Sequence, residues 1–208
     1  MKKLFFILLG ACVFQAAVAQ KSRVGITAGV TGSNLYDNIE GNDKTGSIGG
    51  ATLGLIMEVP LCGKFSFQPG VHYVQKGSVL KEVAAEKISW KLRYAEFHWN
   101  FLYNTKGRDG GFFIGGGPVL SFAMPSKQVT ENNEGKSEKA LVFGNDAIDN
   151  LRGVDYGVNG LLGIRIKKGW SLGVNYTLGL RNLAPGGGDD KIKSGSFGVR
   201  LGYLFPNK

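Results

Sequence analysis

Cysteine and histidine each occur only twice in 208 residues, methionine three times and proline six times. One of the two cysteines, Cys12, lies among the first 19 residues, so the chain cannot be a disulfide-built scaffold. Beyond the N-terminus there is no apolar run approaching the ~18 residues of a membrane-spanning helix, which excludes a helical membrane protein. Charged residues are scarce at 20% while hydrophobic ones reach 43%, and that balance excludes a disordered polyelectrolyte. Glycine, by contrast, is abundant, with 33 residues and no collagen period. Lysine and arginine number 25 against 16 acidic residues, a net charge of +9. The basic residues are spread through the chain, among them Lys64, Lys106, Arg108, Lys167, Lys168 and Lys208. They form no patch of the kind that nucleic acid requires.

Residues 1–19 have the form of an export signal. Lys2 and Lys3 supply the positive end, Leu4–Leu9 with Val13 and Phe14 the apolar stretch, and Ala17-Val18-Ala19 the small-residue cleavage site. The apolar stretch is too short to span a bilayer. A competing lipobox reading of Leu9-Gly10-Ala11-Cys12 is weaker, because very little apolar sequence precedes Cys12. The expected organisation is therefore a signal peptide over 1–19 and one domain over 20–208, in which Cys62 is the remaining thiol.

From Gln20 onward the apolar residues recur with period two. Trp170, Leu172, Val174, Tyr176, Leu178 and Leu180 alternate with Ser171, Gly173, Asn175, Thr177, Gly179 and Arg181, which reads as one strand with two unlike faces. The same alternation marks Val24–Thr31, Ala51–Val59, Phe65–Tyr73, Ala95–Tyr103, Phe112–Met124, Val154–Ile166 and Phe197–Phe205, a total of eight strands. Near Tyr94 the phase changes, since Ile88, Trp90 and Leu92 have the opposite parity, and a bulge is expected there.

The expected connections, 34–47, 61–64, 77–90, 104–110, 125–152, 167–169 and 182–195, alternate between long and short. An up-and-down meander with all its short turns at one end produces this pattern, as in outer-membrane barrels. Alternation alone fits a soluble barrel equally well, but here the non-apolar face is mostly Gly, Ser, Thr and Asn, which suits a cramped interior. Aromatic residues also gather at strand ends: Phe65, Tyr103, Phe112, Trp170, Tyr203 and Phe205 at the short-turn end, and Tyr73, Trp90, Phe122, Tyr156 and Phe197 at the other. Two such girdles mark two membrane interfaces. The fold class read from the sequence is all-β: an eight-stranded antiparallel up-and-down transmembrane β-barrel in the outer membrane, following a cleaved signal peptide.

Several segments resemble one family. Phe65-Ser66-Phe67-Gln68-Pro69-Gly70-Val71-His72-Tyr73-Val74-Gln75-Lys76-Gly77 is similar to a recurrent hairpin strand of the PorT-like small outer-membrane β-barrels. Tyr94–Tyr103, Gly115-Gly116-Gly117-Pro118, Tyr176–Leu183 and the ending Gly202-Tyr203-Leu204-Phe205 resemble that family's later strands. The resemblance implies the fold and, for some relatives, a link to protein secretion across the outer membrane. It brings no catalytic residues with it.

The polar face offers few chemical constellations. His72 and His98 face inward on neighbouring strands, and with Glu96 they could nominally ligate a metal; hydrogen bonding in a polar interior is the simpler reading. Ser66, His98 and Glu96 nominally supply the residue types of a hydrolase, but nothing in their spacing brings them together. Gly115-Gly116-Gly117 and Gly186-Gly187-Gly188 lack the context of phosphate loops. The charged inward residues, Glu58, Glu96, Arg165, Arg181 and Arg200, are expected to form a network across the lumen, with Arg181 close to the outer rim. No metal or other cofactor is expected. Three functions remain open: a non-enzymatic barrel whose long outer loops bind something, a narrow transport pore, and an enzyme that modifies outer-membrane lipid. The expected partners are outer-membrane lipid and a protein met through the extracellular loops or the periplasmic rim, with no nucleic acid.

Overall fold

The computed structural model describes residues 22–37, 46–83, 86–107, 110–133, 135–146, 148–186 and 191–206. The segment expected to be a signal peptide lies outside them. Among the described residues there are nine strands: β1 (Arg23–Asp37), β2 (Gly46–Pro60), β3 (Phe65–Val83), β4 (Glu86–Asn104), β5 (Gly111–Asn132), β6 (Gly135–Ala140), β7 (Val154–Arg165), β8 (Trp170–Gly179) and β9 (Ile192–Leu204). Each barrel strand pairs antiparallel with its sequence neighbour, β5 passes directly to β7, and β1 pairs with β9. The result is a closed ring of eight strands. β6 stands outside the ring as the return arm of a hairpin with β5.

Closure follows from the alternation. With lipid on the apolar face, an open sheet edge would leave backbone groups unsatisfied in hydrocarbon, at a cost of several kcal/mol, roughly, per group. Leu53, Leu55, Phe101, Ile114, Leu162 and Leu201 lie on the outer surface, while Thr27, Thr52, Asn100, Asn159 and Thr177 are buried inside. Aromatic side chains pair along the short-turn end, Phe65 with Tyr103 at 5.3 Å and Trp170 with Tyr203 at 4.8 Å between ring centroids. Cys62, with a free thiol, and Lys64 are exposed in the short turn 61–64. Among the described residues no helix is long and apolar enough to cross a membrane.

The strands run further than the sequence suggests at the long-loop end. Most of 77–90 is strand rather than loop, because β3 continues to Val83 and β4 starts at Glu86. Of the expected loop 125–152, residues 125–132 belong to β5 and 135–140 to β6. β3, β4, β5 and β6 thus rise together as a four-stranded wall beyond the ring. Cross-strand ion pairs tie its last hairpin, Lys127 to Glu138 at 2.6 Å and Lys136 to Glu131 at 3.6 Å. The hydrogen bond from Lys127 holds the Glu138 carboxyl below its ordinary pKa range.

Two irregularities shape this end. Leu92 on β4 faces two residues of β5, Pro125 and Ser126, so the bulge expected near Tyr94 lies on the neighbouring strand. Proline suits a bulge because it has no N–H to offer the ladder, and the Ser126 hydroxyl accepts the Arg93 N–H at 3.0 Å. β4 itself keeps its parity: Leu92 and Tyr94 are buried inside, and Trp90 packs inward rather than joining the lipid-facing girdle. The second bulge is on β2, where residues 48–51 oppose 75–77 of β3. There β1 supplies the missing partners. The Thr31 hydroxyl donates to the Gln75 carbonyl at 2.7 Å, and the Ser33 hydroxyl accepts the Gly77 N–H at 2.7 Å.

Candidate functional site in the barrel lumen

The inward face carries the charged and amide residues, and the register stacks them in layers. At the short-turn end Glu58 of β2 is fully buried between two arginines. Arg165 Nη1 donates to its Oε1 at 2.9 Å and Arg23 Nη2 to its Oε2 at 3.0 Å. The Ser66 hydroxyl donates to the same carboxylate at 3.2 Å. Asn104 accepts from Arg165 at 3.1 Å and donates to Ser66 at 3.1 Å. The ring of Phe113 lies under the Arg165 guanidinium at 5.7 Å, a cation–π contact. Every oxygen of the buried carboxylate is therefore matched, as a buried charge requires.

The middle of the lumen is an amide ladder. Asn159 of β7 donates to Asn100 of β4 at 3.0 Å and accepts from Asn175 and Thr177 of β8 at 3.2 and 3.0 Å. Beside it the imidazoles of His72 and His98 stand 4.5 Å apart. A Cβ at Gly54 would run into the His72 ring, so glycine there lets the imidazole lie against β2.

Above this, Glu96 holds a second charged layer. It accepts from Lys76 at 2.5 Å, from His98 Nε2 at 2.9 Å and from the Ser121 hydroxyl at 3.2 Å. Asp155, further towards the long-loop end, accepts from Ser194 at 2.7 Å.

The last layer is apolar. Leu35, Leu92, Tyr94, Leu141, Leu151, Leu183, Ala184 and Ile192 form one buried cluster, with Trp90, Ala123 and Phe143 packed against it. Leu141 and Leu151 come from the connection between β6 and β7, Leu183 and Ala184 from that between β8 and β9, and the others from strands. Backbone bonds stitch those loops down, Arg152 N–H to the Leu183 carbonyl at 2.9 Å and Leu183 N–H to the Ile192 carbonyl at 2.8 Å. The mouth of the barrel is thus capped by side chains of its own long loops.

The structure places the five charged residues singled out in the sequence at four different stations. Glu58 and Arg165 are in contact. Glu96 lies in the upper layer with Lys76. Arg200 projects between the layers and makes no ion pair among the described residues. Arg181 sits at the rim, donating to the Val154 carbonyl at 3.0 Å. Arg23 and Lys76 were not singled out, although both have inward parity on strands whose faces were assigned. Carrying the alternation back from Val24 to Arg23 and on from Tyr73 to Lys76 would have found them.

Neither nominal constellation assembles. Ser66 belongs to the Glu58 layer, and its partner across β4 is Leu102, whereas His98 pairs with Gly70. Ser121 does approach Glu96, but the acid then stands between hydroxyl and imidazole, whereas a triad needs the imidazole between hydroxyl and acid. Among the described residues no group of three or more His, Cys, Asp or Glu side chains could hold a metal ion.

Comparison with known proteins bears on the whole barrel. The outer membrane protein OprG from Pseudomonas aeruginosa superposes with a TM-score of 0.51 at 12% identity, over 90% of this chain and 98% of that one. Ail, the attachment invasion locus protein of Yersinia pestis, gives 0.48 at 11% identity, over 89% and 100%. Neisserial surface protein A gives 0.45 at 12% identity, over 88% and 97%. At such identities the OprG likeness speaks for the fold alone. No curated protein matches the sequence. The model of the outer membrane protein beta-barrel domain matches residues 18–184. With that match across most of a closed, lipid-faced ring of eight strands, the chain belongs to the outer membrane β-barrel domain family and is a protein of the outer membrane.

Proposed function

We propose that this is a non-enzymatic barrel, closed to solutes, that acts through the surface it displays beyond the outer leaflet. The observation that carries the reading is the wall of β3–β6. It continues the ring outward and ends in β6, whose six residues are all exposed and whose far edge is unpaired among the described residues. An unpaired edge is a template on which another chain can add a strand. Short turns are periplasmic and long loops extracellular in this class of barrel, which puts the wall and the cap outside the cell. The finer resemblance to the PorT-like barrels fits a role in the envelope or in secretion, with a protein as the partner. An export signal ending at Ala19 fits the same location. Outer-membrane lipid meets the apolar face, and Lys64 and Lys106 at the short-turn rim suit headgroup phosphates.

Two charged layers and an apolar cap across the lumen argue against the pore reading. The order of Ser121, Glu96 and His98 argues against a hydrolase. The test is site-specific photocrosslinking in living cells, with the crosslinker placed at Ser137 on β6 or at Leu201 on the lipid face. A discrete protein adduct from Ser137 and none from Leu201 is expected. No adduct from Ser137, or identical adducts from both, would contradict the proposal.

A further inference from the structure

Arg93 on β4 is exposed and has the same parity as Phe97, Trp99, Phe101 and Tyr103, which face lipid. It stands ten residues from Tyr103 of the short-turn girdle. At ~3.4 Å per residue and a tilt of roughly 40°, that length of strand climbs about 25 Å, the height of the apolar band in such a barrel. Arg93 therefore projects outward where hydrocarbon gives way to headgroups. Its register partners are Gln75 of β3 and Met124 of β5, so its own row supplies no acid.

One row further out, Lys91 lies opposite Lys127. Lys127 is bonded to Glu138 at 2.6 Å, and Lys91 and Lys136 act on the same carboxylate. Glu131 is paired with Lys136. The two acids of the β5–β6 hairpin are thus engaged within the wall, outward of Arg93. One row further in, Ala95 lies between Tyr73 and Phe122. A methyl group between two rings leaves a slot in the lipid face. The slot leads past Phe97, whose ring meets that of Phe122 edge-on at 5.9 Å, into a groove of about 350 Å³. Leu55, Pro69, Val71, Phe97 and Trp99 line that groove. A cationic rim over an apolar track is complementary to an anionic headgroup over an acyl chain.

We infer that this track is a binding site for lipopolysaccharide, the phosphorylated glycolipid of the outer leaflet. Arg93 and Lys91 hold a phosphate, and one acyl chain runs through the slot over Ala95 into the groove. The guanidinium suits this place because its forked donors match two phosphate oxygens at once. The choice of leaflet rests on the long loops being extracellular, which labelling of intact cells tests separately. The edge of β6 plays no part in it.

The test measures binding of fluorescent lipopolysaccharide to the purified full-length barrel in detergent micelles. Saturable binding is expected. The double substitution Arg93→Gln with Lys91→Gln should weaken it about tenfold, the loss of one charge-assisted phosphate contact. Arg93→Lys should retain most of the affinity, and Lys64→Gln at the opposite rim all of it. Ala95→Trp fills the slot with the charges left in place and should weaken binding as well. Heat-modified gel mobility checks that each variant is folded. Lipopolysaccharide stripped of its lipid phosphates should bind the unmutated barrel as weakly as the intact form binds the double variant. Affinity unchanged by the double substitution or by dephosphorylation, or equal affinity for phosphatidylglycerol, would overturn the site.

Discussion

Arg165 on β7 reaches across the base of the barrel to Glu58 on β2, Nη1 to Oε1 2.9 Å, although 107 residues separate them in the chain. Arg23 closes on the other carboxylate oxygen at 3.0 Å. Removing the shared acid takes the same carboxylate from two arginines, while removing Arg165 leaves Glu58 still paired with Arg23. Breaking a buried pair from one side commonly costs about 3–5 kcal/mol. Glu58→Ala should fall in that range and Arg165→Ala below it, read by urea unfolding of the barrel in lipid vesicles. Equal, small effects would show that the layer is solvated.

The lipid face makes an independent demand. Leu201 projects outward from β9 amid the apolar band, and Ile148 is 92% exposed on a long loop. An arginine at mid-bilayer costs a barrel about 2–4 kcal/mol. Leu201→Arg should lose that much in vesicles, while Ile148→Arg should stay within about 0.5 kcal/mol of the wild type. Equal tolerance at the two positions would contradict the assignment of faces.

The cap should behave as a hydrophobic core. Leu151 and Leu183 are fully buried in it and come from different loops. Leu→Ala in a packed core costs about 2–5 kcal/mol, and Leu151→Ala should also expose 141–152 to added protease. Cleavage there at an unchanged rate would mean that the loops do not pack.

Orientation is tested by labelling intact cells with a membrane-impermeant maleimide. In a Cys62→Ser background, a cysteine at Asn132 should be modified and one at Gly107 spared. The reverse pattern would invert the barrel.

The ring was legible in the sequence because lipid and lumen impose opposite chemistries on alternate residues, so Leu172 beside Gly173 and Phe101 beside Asn100 already declare their faces. The wall was not, because beyond the membrane that contrast disappears. Every residue of β6 is exposed, and Lys127, Glu131, Lys136 and Glu138 read as loop until their pairing is seen. Leu92 and Tyr94 misled for the converse reason, since at the capped mouth the interior is apolar too. In the lumen, parity put Glu58, Glu96, Arg165 and Arg200 inside. Which acid meets which base depends on strand stagger, and that depends in part on bulges at β2 and at Pro125 that alternation does not reveal.

A barrel that is closed and works from its surface should be electrically silent when the purified protein is recorded in planar lipid bilayers. No steady conductance above that of the bare bilayer is expected in molar salt. Large, reproducible unitary steps from the unmutated protein would contradict it.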